Sequence, residues 1–118
     1  MDLSPSLRVV GGGIVIGDYC SISTGVQIYT HDTVKWALSG GKADYKHAPV
    51  KIGDCCYIGP NTIIIKGIKI GNHYMIGANS VVNIDLGDNF IAVGSPCKII
   101  GKVKLNENGE VDYEHFDS

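Results

Sequence analysis

The chain has 118 residues, 44% of them hydrophobic and 19% charged, with ten Lys and Arg against twelve Asp and Glu and a net charge of −2 at pH 7. That length suits one small domain spanning residues 1–118, and the charge balance leaves no positive excess for a phosphate backbone, which argues against nucleic-acid binding. No apolar run approaches the roughly 20 residues of a spanning helix, and residues 1–6 lack the basic start and apolar stretch of a secretory signal. A cytoplasmic protein without membrane insertion is expected.

The apolar residues favour strands. There are 16 Ile and 11 Val but only 5 Leu and 5 Ala, beside 16 Gly. Ile and Val are stiff at the β-carbon and suit pleated backbone, whereas Leu and Ala carry most helices. An all-β fold with frequent tight turns follows, and a helical bundle is excluded. Cys20, Cys55, Cys56 and Cys97 form no Cys-x-x-Cys pair and suit neither a zinc site nor a disulfide framework. They read as small buried or half-buried thiols.

In chain order, a branched apolar residue recurs every six positions at Val10, Ile16, Ile22 and Ile28, and again at Ile52, Ile58, Ile64, Ile70, Ile76 and Val82. Turn formers follow several of them, as in Ile16-Gly17-Asp18, Ile52-Gly53-Asp54 and Ile70-Gly71-Asn72. A period of six fits neither a long helix nor a long strand. It fits short strands separated by regular corners, three of which close a triangular coil. Stacked coils then pair like a parallel sheet, with the repeating Ile or Val in inward columns. Ten hexads amount to about three coils, a prism ~16 Å tall at ~4.8 Å per layer. So short a stack needs cover at its ends, and association is expected.

Two segments break the beat. Between about His31 and Pro49 the motif is lost, yet Ile28 and Ile52 stay in register; these residues, with Trp36, Gly40-Gly41 and Tyr45, read as a loop extruded from one corner. From Gly94 the chain should leave the solenoid as a covering tail over residues 94–118. Within it, Val103-Lys104-Leu105 and Glu110-Val111-Asp112-Tyr113 flank Asn106-Glu107-Asn108-Gly109 and read as a hairpin.

Over residues 8–101 the chain resembles the hexapeptide-repeat acyltransferases, the left-handed parallel β-helix family. The resemblance is carried by Pro49-Val50-Lys51-Ile52-Gly53-Asp54, Met75-Ile76-Gly77-Ala78-Asn79-Ser80-Val81-Val82 and Ala92-Val93-Gly94-Ser95-Pro96-Cys97-Lys98-Ile99-Ile100. The nearest subset looks like the sugar and polysaccharide acetyltransferases, including the galactoside and maltose enzymes. The resemblance implies the left hand of the coil, a homotrimer, and acetyl-CoA as acyl donor in the groove between neighbouring prisms.

Acetyl transfer from a thioester to a hydroxyl needs a base for the hydroxyl proton and donors for the oxyanion. Histidine suits the base. His31, in Tyr29-Thr30-His31-Asp32 where the loop begins, stands where the resemblance places the catalytic histidine. Asp32 is its neighbour on an extended strand, so its side chain points to the other face and suits loop anchoring better. His73 falls in a corner and His115 in the tail. His47, at the loop's return, could approach an acceptor, and Trp36 and Tyr45 could stack on a sugar ring.

For the donor, the resemblance carries Ala78 onto a residue whose backbone meets pantetheine, Asn83 onto a position near the adenine, and Lys98, with Lys102 beside it, onto a phosphate contact. Pro60 departs from the pattern. In the galactoside-type enzymes the matching residue offers an N–H to the thioester oxygen, and proline has none; either a nearby amide such as Gly59 or Asn61 serves, or the thioester sits differently, or the activity is weak. The γ-class carbonic anhydrases share the fold, but two of their three zinc histidines fall on Pro60 and Ile65, so no metal is expected. The reading is an acetyl-CoA-dependent acetyltransferase acting on a sugar or polysaccharide precursor. Its rivals are transfer to the amine of a nucleotide-linked amino sugar or to serine, and a non-catalytic assembly module.

Overall fold

The computed structural model describes residues 2–3, 8–10 and 13–116. The elements run β1 (Asp2–Leu3), β2 (Arg8–Val10), β3 (Ile14–Ile16), β4 (Ser21–Ile22), β5 (Gln27–Tyr29), β6 (His31–Asp32), α1 (Val34–Leu38), β7 (Lys46–His47) and β8 (Val50–Ile52). They continue as β9 (Tyr57–Ile58), β10 (Ile63–Ile64), β11 (Lys69–Ile70), β12 (Met75–Ile76), β13 (Val81–Val82), β14 (Phe90–Val93), β15 (Lys98–Leu105) and β16 (Val111–His115).

Three parallel ladders form a three-sided solenoid. The first face orders β1-β4-β9-β12-β14, the second β2-β5-β10-β13 and the third β3-β8-β11, which a bridge from Ile70 to Leu86 extends. From Ile16 onward the six-residue beat lands in columns, which Ala92 and Leu86 join off the beat: Ile22, Ile58, Ile76 and Ala92 on the first face, Ile28, Ile64 and Val82 on the second, Ile52, Ile70 and Leu86 on the third. All ten are at most 3% exposed. Val10 does not hold the expected register, since Val9 pairs with Ile28 and Val10 with Tyr29. A stack of branched side chains in one pleat position gives close packing at each layer.

Parallel stacking also runs past the series read from Val10 to Val82. β1 lies under β4, and β14 caps β12 although no hexad residue predicts it. The last coil is two residues short: sixteen separate Ile70 from Leu86, where eighteen separate Ile52 from Ile70. That shortening hides β14 from a six-residue search.

The corner between the third and first faces explains the Gly-Asx pairs. The amide of Asp18 donates to Asp54 Oδ1 at 2.7 Å, that of Asp54 to Asn72 Oδ1 at 2.8 Å, and that of Asn72 to Asp88 Oδ1 at 2.8 Å. Each side chain thus caps an amide of the adjacent coil. A Cβ on Gly53 would lie 2.5 Å from Asn72 Oδ1, so the approach excludes any other residue. Tyr19, Cys55, His73 and Asn89 close this corner with φ between 53° and 65°. The thiols follow the same stacking: Cys20 Sγ donates to the Gly53 carbonyl and Cys56 Sγ to that of Gly71, both at 3.1 Å. All four cysteines are free, and of these only Cys55 is exposed.

The tail forms the expected hairpin. β15 pairs antiparallel with β14 and then with β16, so the hairpin extends the first face. Asn106 Oδ1 accepts from the amides of Asn108 and Glu110, and Gly109 takes φ +81°. No helix among the described residues is long and apolar enough to cross a membrane.

Candidate active site

The loop leaves the second face after β5 and is tied at its neck. The amide of Ala48 donates to the Thr30 carbonyl at 2.9 Å, and β6 and β7 pair antiparallel with His31 opposite His47 and Asp32 opposite Lys46. Alternation along β6 sends the two neighbours apart. Asp32 turns to the prism, where Lys66 Nζ meets its Oδ2 at 2.7 Å and the Val34 amide donates to its Oδ1 at 3.0 Å. The Lys66 ammonium and that amide hold the Asp32 carboxyl below its ordinary value. Asp32 therefore anchors the loop and does not orient His31.

His31 turns into a cluster of rings. Its centroid lies 5.8 Å from that of His47, with 22° between the planes, and 6.2 Å from that of Tyr45. Tyr45 meets His47 at 6.4 Å and Trp36 edge-on at 5.9 Å. His31 Nδ1 is buried without a hydrogen-bond partner. Among the described residues no carboxylate or carbonyl hydrogen-bonds His31 Nδ1, and the stacked rings are what pack against this imidazole. Beside it opens a hollow of about 580 Å³ lined by Trp36, Gly41, Ala43, Asp44, Tyr45 and His47. His47 also lines a smaller hollow of about 200 Å³ with Gly13, Thr30 and Pro49. The fold thus gathers His31, Trp36, Tyr45 and His47 into one place.

The residues assigned to the donor are less compact. Gly59 and Ala78 meet at the corner between the first and second faces, where a Cβ on Gly59 would lie 2.6 Å from the Ala78 nitrogen. Lys98 pairs with Val93 beside that corner. Asn83 follows β13, at the opposite end of the second face, and Lys102 pairs with Phe90, at the opposite end of the first. The amides offered as substitutes for Pro60 are both engaged: Gly59 N donates to the Ile76 carbonyl at 2.8 Å and Asn61 N to that of Thr24 at 3.0 Å. Ala78, one coil on from Pro60, is an exposed residue, and its N–H has no hydrogen-bond partner among the described residues. Among those residues, no group of three or more His, Cys, Asp and Glu is placed to hold a metal ion.

Residues 49–83 match the family described as bacterial transferase hexapeptide (six repeats). The chain is a hexapeptide-repeat protein. It is 30% identical over 106 residues to the galactoside O-acetyltransferase of Lactococcus lactis, an alignment covering 90% of this chain and 47% of that one. Among solved structures, a maltose O-acetyltransferase from Clostridium difficile is 35% identical with a TM-score of 0.69, covering 85% of this chain and 60% of that one. A galactoside acetyltransferase in complex with coenzyme A is 30% identical with a TM-score of 0.72, covering 81% and 48%. These likenesses imply the left hand of the coil. The hexapeptide-repeat chain spans about half the length of the curated relatives it matches.

Two residues of the hexapeptide-repeat site escaped sequence reasoning. Lys66 sits two positions beyond Ile64, as Thr30 does beyond Ile28, so the register itself placed it one coil above the loop's exit. Asp44 lines the larger hollow, and no spacing distinguishes it from an ordinary loop carboxylate.

Proposed function

We propose that this chain is the catalytic part of an acetyl-CoA-dependent acetyltransferase that moves an acetyl group to a hydroxyl of a sugar or polysaccharide precursor in the cytoplasm. One observation carries the reading: in a chain related to sugar O-acetyltransferases, His31 is held by stacked rings beside a hollow walled by Trp36, Tyr45 and Asp44. Aromatic faces suit the C–H face of a pyranose, and Asp44 would accept hydrogen bonds from its hydroxyls.

In the proposed step, His31 Nε2 takes the acceptor hydroxyl proton as the oxygen bonds the thioester carbon. The carbon–sulfur bond then breaks, and the imidazolium returns the proton to the departing thiolate. The unpartnered Ala78 N–H suits the donor's carbonyl groups, and Lys98 on the same corner suits its phosphates. Gly59 serves by its lack of a side chain. Asn83 and Lys102 would act only from other corners of the prism.

His31 follows β5 and Ala78 precedes β13, so they stand at opposite ends of the second face. That separation favours sites shared between prisms in a homotrimer. Asp44 also favours a second reading, in which the acceptor is an amino sugar whose amine takes the acetyl group. His31→Ala should lower turnover at least ~100-fold while acetyl-CoA binding by calorimetry and the trimer mass persist. Unchanged turnover would defeat the assignment. A screen of sugars, nucleotide sugars and serine for release of free CoA thiol separates the acceptors, and a chain that binds no acetyl-CoA is an assembly module instead.

A further inference from the structure

The hairpin ends in a strand that, among the described residues, is paired on one side only. β16 is the last strand of the first face, and all five of its residues are exposed. Its direction is fixed at both ends: the Phe116 amide donates to the Ile100 carbonyl at 2.8 Å, and the Glu110 carbonyl accepts from Asn106 N at 3.1 Å. Backbone groups alternate sides along a strand. Even-numbered positions therefore face β15, and Val111, Tyr113 and His115 direct their N–H and C=O groups to the free edge. Phe116 packs edge-on against Phe90 at 6.4 Å, which holds the strand in place.

The two faces of this strand differ in chemistry. Val111 and Tyr113 lie opposite Leu105 and Val103, and with Tyr57 and Met75 these four line a groove of about 590 Å³. On the other face Asp112 lies opposite Lys104 and Glu114 opposite Lys102, with Lys104 Nζ 3.1 Å from Glu114 Oε2. Residues 105–116 carry Glu107, Glu110, Asp112 and Glu114 and no Lys or Arg.

We infer that the edge of β16 is a docking site for an extended segment of a partner protein in which basic and apolar residues alternate, added as a further strand. Strand addition draws affinity from the backbone and specificity from alternate side chains. Basic residues would stand over Asp112 and Glu114, and apolar ones would lengthen the wall formed by Val111 and Tyr113. The molecule already displays the matching pattern on the inner edge, where residues 101–105 read Gly-Lys-Val-Lys-Leu. A second copy fits poorly. Two-fold antiparallel pairing of β16 with itself sets Asp112 and Glu114 against their own kind, and like charges directly opposite destabilise a pair. The copy's own lysine strand is enclosed between β14 and β16.

The test uses the isotope-labelled full chain and two capped peptides, Gly-Lys-Val-Lys-Leu and Gly-Glu-Val-Glu-Leu. The lysine peptide should bind about tenfold or more tightly than the glutamate peptide, weaken with added salt, and protect the amides of Val111, Tyr113 and His115 from exchange. The variant D112K/E114K should invert that preference, with protection of the Phe116 amide showing that the hairpin persists. Should the hairpin open in that variant, Tyr113→Pro serves instead, since it removes an outward N–H and should abolish binding. Equal affinity for both peptides, unprotected edge amides, or protection that rises with protein concentration alone would overturn the inference.

Discussion

His31 and His47 are cross-strand partners at the neck of the loop, their imidazoles face to face with centroids 5.8 Å apart and 22° between planes. Since His31 Nδ1 has no hydrogen-bond partner among the described residues, this stack would orient the proposed base as a carboxylate does elsewhere. His47→Ala should lower kcat about tenfold or more, because small misplacements of a reacting group are costly, with little change in acetyl-CoA affinity. His47→Phe keeps a flat ring and should recover most of the loss. Steady-state kinetics on the two variants checks this, and equal damage from both would point to a contact made by the imidazole nitrogens instead.

Asp32 and Lys66 give the loop a pH-dependent tie. The Asp32 carboxyl is held below its ordinary value by Lys66 and by the Val34 amide. A depressed carboxyl contributes stability above the unfolded value of about 3.9, and that contribution is lost as pH falls through the lower folded value. Loop amides between residues 31 and 47 should therefore exchange at a steady rate relative to the solenoid at neutral pH and loosen below about pH 4. Lys66→Met should exchange several-fold faster at pH 7, where the native ion pair is intact. Hydrogen exchange followed by mass spectrometry distinguishes the two.

The solenoid was legible because its inward residues repeat at a fixed spacing and each column is a single chemical type. Ile52, Ile58, Ile64, Ile70 and Ile76 announce three faces without any knowledge of a relative. β14 was not legible, since the two-residue shortening before Leu86 breaks the count. The ring cluster was only partly so. Trp36, Tyr45 and His47 were candidates by residue type, but their convergence on His31 depends on the antiparallel neck and on α1, a helix of five residues whose N-cap, Thr33, makes no side-chain cap hydrogen bond. The dispersal of Asn83 and Lys102 from Ala78 was hidden for a plain reason: linear proximity says nothing about which corner of a prism a residue occupies.

Packing at one layer separates two kinds of damage. Ile64 is fully buried between Ile28 and Val82, so Ile64→Ala should cost about 2–5 kcal/mol. Ile84, 45% exposed, should tolerate Ala within about 0.5 kcal/mol. Gly59→Ala acts by overlap, since its Cβ would stand 2.6 Å from the Ala78 nitrogen and 2.9 Å from Ala78 Cα. Backbone cannot swing aside as a side chain can, so about 3 kcal/mol is expected. If the proposed donor site is right, Gly59→Ala should also weaken acetyl-CoA binding by shifting the Ala78 N–H, whereas Ile64→Ala should spare the affinity of the molecules still folded. Denaturant unfolding paired with calorimetry reads both quantities.

The cysteines predict an alkaline limit to stability. Burial pushes the Cys56 thiol from 9.0 up to about 12, and it pushes the Cys97 thiol up as well. A group whose folded value is raised contributes stability in full below its unfolded value, here about 9. That contribution is lost as pH climbs toward the folded value, because the unfolded chain ionises its thiols first. The melting temperature should fall between about pH 9 and pH 12, less steeply in Cys56→Ala. Native protein treated with iodoacetamide at pH 8 should take one label, on exposed Cys55, while denatured protein takes four. Rapid native labelling of Cys20 or Cys56 would mean that the corner holding their Sγ–carbonyl contacts opens far more often than its ladder of Asp54, Asn72 and Asp88 allows.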